Sequence, residues 1–109
     1  MSYEEFIQNI INKRGKHGCG DVYHERHHIL PKCLGGQNTE DNMIDLFAKE
    51  HYEAHRLLAL ENPHNSKLQF AWWSMASMKN QNEGERYICT PEEFEEARIA
   101  HAKSMQGEN

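Results

Sequence analysis

Four histidines in the stretch 25–55, ERHHILPKCLGGQNTEDNMIDLFAKEHYEAH, are spaced for chemistry. His27 and His28 are adjacent, so on an extended strand their rings point to opposite faces. His51 and His55 are four residues apart and share one face of a helix. A strand that offers one imidazole, opposed by a helix that offers two, makes a three-nitrogen metal site with an open position. One ring is left over, and it is the candidate catalyst. Phosphodiester hydrolysis needs an activated water, a cation on the phosphate and help for the departing 3′ oxygen. A near-neutral imidazole suits the first task. One metal ion with open positions suits the other two. In-line attack sets nucleophile and leaving group on opposite sides of phosphorus. Neighbouring strand residues divide the work that way, with His27 turned to the metal and His28 turned away from it.

The order is two histidines, fourteen positions to Asn42, nine to His51 and four to His55. It resembles the HNH nuclease motif, the ββα-metal finger of phage homing endonucleases, colicin-type DNases and the HNH domain of CRISPR effectors. The matching residues are Glu25, His27, His28, Pro31, Gly35, Gly36, Asn42, Leu46, His51 and His55. The resemblance implies two antiparallel strands and a helix clasping one divalent ion, with double-stranded DNA as substrate. It implies His28 as the general base, and His27, His51 and His55 as metal ligands. Asn42 would tie the loop by side-chain to backbone bonds and hold the base in place. Glu25 would orient a histidine from outside the ligand set, as outer-shell carboxylates do. Arg26 and Lys32 would touch the phosphate. Three imidazoles favour zinc, nickel or cobalt by affinity. Catalysis with magnesium or manganese is equally compatible, so the ion stays open.

The whole chain adds bounds. Its 109 residues suit one domain. The reading divides it into a helix and basic loop (1–21), a ββα core (22–61) and supporting helices (62–109). The expected class is therefore α+β, a mostly helical domain around a ββα-metal finger. A mean hydropathy of −0.91 leaves a lean apolar supply, which a bound metal would supplement. The net charge of −5 argues against tight nonspecific binding to DNA, for which a basic surface is expected. It motivates a competing reading, a catalytically silent metal-stabilised module acting through protein contacts. RNA remains an alternative substrate, because attack by water needs no 2′-hydroxyl. Three cysteines at wide spacing, Cys19, Cys33 and Cys89, lack the C-x-x-C pairs of zinc ribbons and point to a reducing compartment. No signal peptide and no eighteen-residue apolar run is present. The expectation is a monomer in the cytoplasm, that of the host cell for a phage product.

Elements must then hold the histidines. Ser2 with Glu5 is a capping box, and Phe6, Ile7, Ile10 and Ile11 form one stripe, so a packing helix is expected over 2–13. Residues 14–21 read as a solvated basic loop. Val22–Leu30 reads as a strand stopped by Pro31, though its two faces are not cleanly amphipathic, followed by an ordered loop over 31–42 and a short strand over Met43–Phe47. Helices are expected over Ala48–Leu60 and Lys67–Met78. The adjacent Trp72 and Trp73 imply that the second is buried on two sides. A polar turn (79–85) and a short strand at 86–89 should follow. Thr90-Pro91-Glu92-Glu93 starts the last helix, whose run of glutamates reads as a solvated face suited to the helix dipole.

Overall fold

The computed structural model describes residues 1–77 and 90–106, with side chains through 103. The expected turn at 79–85 and strand at 86–89, with Met78 and Cys89, lie outside the described residues. The chain divides into two compact units, Met1–Ala54 and His55–Asn109, and the boundary falls within one continuous helix.

In the first unit, α1 spans Tyr3–Arg14. The Ser2 hydroxyl accepts the Glu5 N–H at 3.1 Å, and the Glu5 carboxylate accepts the Ser2 N–H at 3.0 Å. A cap of this kind is worth about 1 kcal/mol. Tyr3, Ile7 and Ile10 face inward at helical spacing, so the buried stripe starts one turn earlier than Phe6. A basic loop follows, but Arg14 is not the solvated residue expected. Its guanidinium makes a double hydrogen bond to Glu50 at 2.9 and 2.5 Å and lies 4.3 Å above the Phe47 ring.

Strands β1 (Glu25–His28) and β2 (Met43–Leu46) pair antiparallel, with Glu25 opposite Leu46, Arg26 opposite Asp45, His27 opposite Ile44 and His28 opposite Met43. Opposed side chains share a face. Glu25 and His27 therefore lie with the fully buried Ile44 and Leu46, while Arg26 and His28 lie with Asp45 and Met43. Strand β1 is shorter than the expected Val22–Leu30, because the short β2 offers partners only as far as Leu46. Val22 and Tyr23, beyond that limit, are exposed. Strand β2 also stops one residue before the expected Phe47, whose N–H is capped by Glu50 at 3.0 Å as the next helix begins. The outer edge of β2 is covered where the Asp45 N–H donates to the Lys16 carbonyl at 2.7 Å.

The connection between the strands contains two short 3-10 turns, Lys32–Leu34 and Glu40–Asn42. The Asn42 side chain accepts the Leu30 N–H at 2.9 Å and donates to the carbonyls of Leu30 and Gln37 at 3.1 and 2.9 Å. Gly36 passes so close beneath this staple that a Cβ there would sit 1.7 Å from the Leu30 oxygen. Gly35 has φ +100°, a region that favours glycine.

Helix α2 (Ala48–Glu61) crosses into the second unit, where α3 (Ser66–Ser77) and α4 (Pro91–Gln106) pack together. Asn65 caps α3 through its side-chain oxygen on the Leu68 N–H at 3.0 Å, which starts the helix one residue before the expected Lys67. Gln69 is buried and donates to the carbonyls of Ala59 (2.6 Å) and Asn62 (3.1 Å), closing the corner between α2 and α3. Trp72 is fully buried, while Trp73 faces α4, stacked on His101 at 5.4 Å and tilted against Phe94 at 5.3 Å. Thr90 and Glu93 form a reciprocal cap at 3.1 and 2.9 Å. The glutamates of α4 are more engaged than a solvated run, since Glu96 takes Arg56 at 3.0 and 3.1 Å and Glu95 takes Arg98. The described residues are thus mostly helical with one small antiparallel sheet, an α+β fold. Among the described residues, no helix is long and apolar enough to cross a membrane.

Candidate metal centre

His27 comes from the core face of β1, and His51 and His55 come from successive turns of α2. One ligand nitrogen from each of the three lies within 4.8 Å of the others. The His27 and His51 rings meet edge to face with centroids 5.1 Å apart. A tetrahedral ion with nitrogen bonds of about 2.0 Å sets its ligands roughly 3.3 Å apart. The observed spread is of the same order.

The outer nitrogens of two of these rings are already committed. Glu25 Oε1 accepts from His51 Nδ1 at 2.7 Å. A carboxylate can only accept, so the hydrogen sits on Nδ1 and the lone pair of the neutral ring is on Nε2. This carboxylate also receives the Tyr23 hydroxyl. His27 is 3% exposed, and its Nε2 lies 2.7 Å from the hydroxyl of Tyr3 on α1. Ligating histidines characteristically donate their far N–H to an outer partner, which raises the basicity of the nitrogen facing the ion. The donor set therefore fits a divalent cation of the transition series.

His28 lies on the other face of the same strand, half-buried. Its Nε2 lies 2.5 Å from Asn38 Oδ1. The amide oxygen has no proton to give, so the imidazole donates from Nε2 and Nδ1 is its proton-accepting atom. Asn42 directs its side chain to backbone rather than to the ring. It staples Leu30 to Gln37, and its own carbonyl accepts the Ile29 N–H at 2.8 Å, one residue past the ring. Arg26 shares the His28 face, 3.7 Å from Asp45 Oδ1 and 3.9 Å from Glu40. Asp45 is buried and also takes His17 Nδ1 at 3.1 Å. Lys32 is exposed on the first 3-10 turn.

Two contributors escaped the sequence reading. Asn38 sits in a polar loop where nothing marks one amide above its neighbours. Tyr3 did leave a trace, since it precedes Ile7 and Ile10 at four and seven positions, but its polar partner is 24 residues away.

No protein-family model and no solved structure matches the chain. It is similar to several curated proteins of Enterobacteria phage T4. Probable mobile endonuclease D is 34% identical over 108 residues, which cover 94% of this chain and 41% of that protein. Probable mobile endonuclease E is 34% identical over 79 residues, covering 72% of this chain and 55% of the relative. Probable mobile endonuclease C is 34% identical over 83 residues, 73% of this chain and 39% of the relative. The chain thus spans about half or less of the length of these relatives.

Proposed function

We propose that this chain is an HNH-type nuclease unit, in which a ββα-metal finger hydrolyses phosphodiester bonds of double-stranded DNA with His28 as general base. One observation carries the reading: three imidazoles gather on the core side of a hairpin and helix, while a fourth stands next to them on the opposite face. The names of the three phage relatives support a nuclease, and a nuclease acts on nucleic acid.

The geometry supports the following roles for the chain's own residues. His27, His51 and His55 would hold the ion, with Glu25 fixing the His51 ring. When bound, the ion supplies Lewis acidity at the phosphate and at the departing oxygen. Asn38 holds His28 by Nε2, so Nδ1 takes the proton from the attacking water. Asn42 acts one step back, since its three side-chain bonds set the path of the chain that leaves His28. Arg26 and Lys32 would meet the phosphate backbone. Arg26 does so against two acidic neighbours, which keeps nonspecific affinity low.

The net charge of −5 favours the competing reading of a silent metal-stabilised module that binds protein. A plasmid-nicking assay across magnesium, manganese, nickel and zinc separates the two, with His28→Ala as control and an RNA of the same sequence beside it. Metal-dependent nicking lost in His28→Ala supports the nuclease. An ion bound without cleavage under any metal supports the module, and preferential RNA cleavage reassigns the substrate.

A further inference from the structure

We propose that Tyr3, on the N-terminal helix, is a positioning residue of the metal centre, whose hydroxyl holds His27 in the Nε2–H form and so presents Nδ1 to the ion. The inference rests on the metal-site reading above and deepens it, because it makes α1 part of the centre rather than a cover over it.

The argument is one of proton counting. The Tyr3 oxygen lies 2.6 Å from the Ile29 carbonyl and 2.7 Å from His27 Nε2. A phenol has one hydrogen, and a carbonyl oxygen can only accept. Were that hydrogen given to Nε2, two oxygens would face each other at 2.6 Å with no proton between them. The hydrogen therefore goes to Ile29, and the phenol oxygen accepts from Nε2–H. His27 is thereby a donor at Nε2, and Nδ1 is the ligating nitrogen of its neutral ring. Burial makes the arrangement stringent. Tyr3 and His27 are both buried, so a ring that lost its acceptor would keep a dry, unsatisfied N–H. The anchor on Ile29 lies just past the end of β1, so the same hydroxyl ties α1 to the strand that carries both His27 and His28. The arrangement parallels that at His51, where Glu25 takes the far N–H. One ligand is oriented by a carboxylate and the other by a phenol.

The experiment uses the intact chain, wild type and Tyr3→Phe, which keeps the ring and removes only the hydroxyl. Long-range proton–nitrogen correlation spectra of the metal-free protein report the tautomer of His27 directly. Calorimetric titration with zinc reports affinity. The expected result is a single Nε2–H form in the wild type. In Tyr3→Phe that form gives way to a mixture, and the zinc Kd rises about tenfold, at the lower end of the usual cost of losing an outer-shell partner. Circular dichroism should be unchanged. An Nδ1–H form in the wild type overturns the proposal without any variant. So does a Tyr3→Phe protein whose tautomer and zinc affinity match the parent. A wild-type chain that binds no ion sinks the metal-site reading, and this proposal with it.

Discussion

The two compact units use their buried polar groups differently. In the first, His27 and Asp45 are buried and bonded across long stretches of sequence, to Tyr3 and to His17. Two long irregular segments, 15–24 and 29–42, are held by side chains gripping backbone, Lys16 Nζ on the Asp41 carbonyl and Cys19 Sγ on that of Asp45 in the first, Asn42 in the second. In the second, the buried polar residue among those described is Gln69, and it serves only to close a helix corner. The rest of that buried interior, among the described residues, is apolar: Leu57, Leu58, Ala59, Leu68, Trp72, Met75, Ala76 and Ala97. Polar networks specify position at the cost of needing every partner in place, whereas apolar packing gives stability with little directional demand. The unit holding most of the candidate chemistry is the one tied by directional bonds. Damage there should fall on activity, and damage in the helical unit on stability.

That contrast can be broken by experiment. The largest effect is expected for His28→Ala, which should lower plasmid nicking by roughly 10²–10⁴-fold, while zinc affinity stays within about threefold of the parent. Nicking at the parental rate would remove His28 as base. Next comes Trp72→Ala in the helical unit, where emptying a fully buried site should cost about 3–5 kcal/mol in urea unfolding. Activity per folded molecule should be little changed, and a selective loss of activity in well-folded protein would contradict the division proposed here.

Asn42→Ala sharpens the comparison from the other side. It removes three bonds from the loop and should cost about 1–3 kcal/mol. Its nicking rate should fall by more than that instability explains, because the chain path beyond His28 is released.

The smallest effect concerns Glu50. Burial pushes its carboxyl pKa upward, but hydrogen bonds from Arg14 and the Phe47 N–H, with the nearby positive charge, outweigh that and hold it below the ordinary value. A depressed carboxyl stabilises the fold above its ordinary range, and that contribution fades as pH falls through the lowered value. Glu50→Gln should therefore cost roughly 0.5–1 kcal/mol at neutral pH. The gap from the parent should close in acid, as followed by Tm between pH 7 and pH 3. A gap that widens in acid would reverse the assigned sign.

Local pattern carried much of this fold. Caps at Ser2 and Thr90 and the apolar spacing of α1 placed two helices to within a residue or two, and the i, i+4 histidines marked α2. Those signals span less than two turns, so they survive without tertiary context. What pattern missed has a common cause. The ion pair of Arg14 with Glu50 joins residues 36 apart, and that of Arg56 with Glu96 joins residues 40 apart. The length of β1 depends on where β2 ends. Val22 to His24 continue the strand-like stretch but have no partner in the described sheet. Among the site residues, the convergence of His27, His51 and His55 was legible from residue types alone. The side chains that orient the rings were only partly so, since Glu25 came from the motif while Tyr3 and Asn38 needed coordinates.

Gly36 carries a consequence for how this molecule can diverge or be re-engineered. With the Leu30 oxygen 1.7 Å from where a first side-chain carbon would stand, even alanine is a steric collision with backbone. A saturation library at this position should return the parent residue alone, while nearby Gln37 and Thr39, both open to solvent, accept broad replacement. Tolerance in this loop is thus set atom by atom, and a transplant that keeps its length but loses that hydrogen-only site would not close.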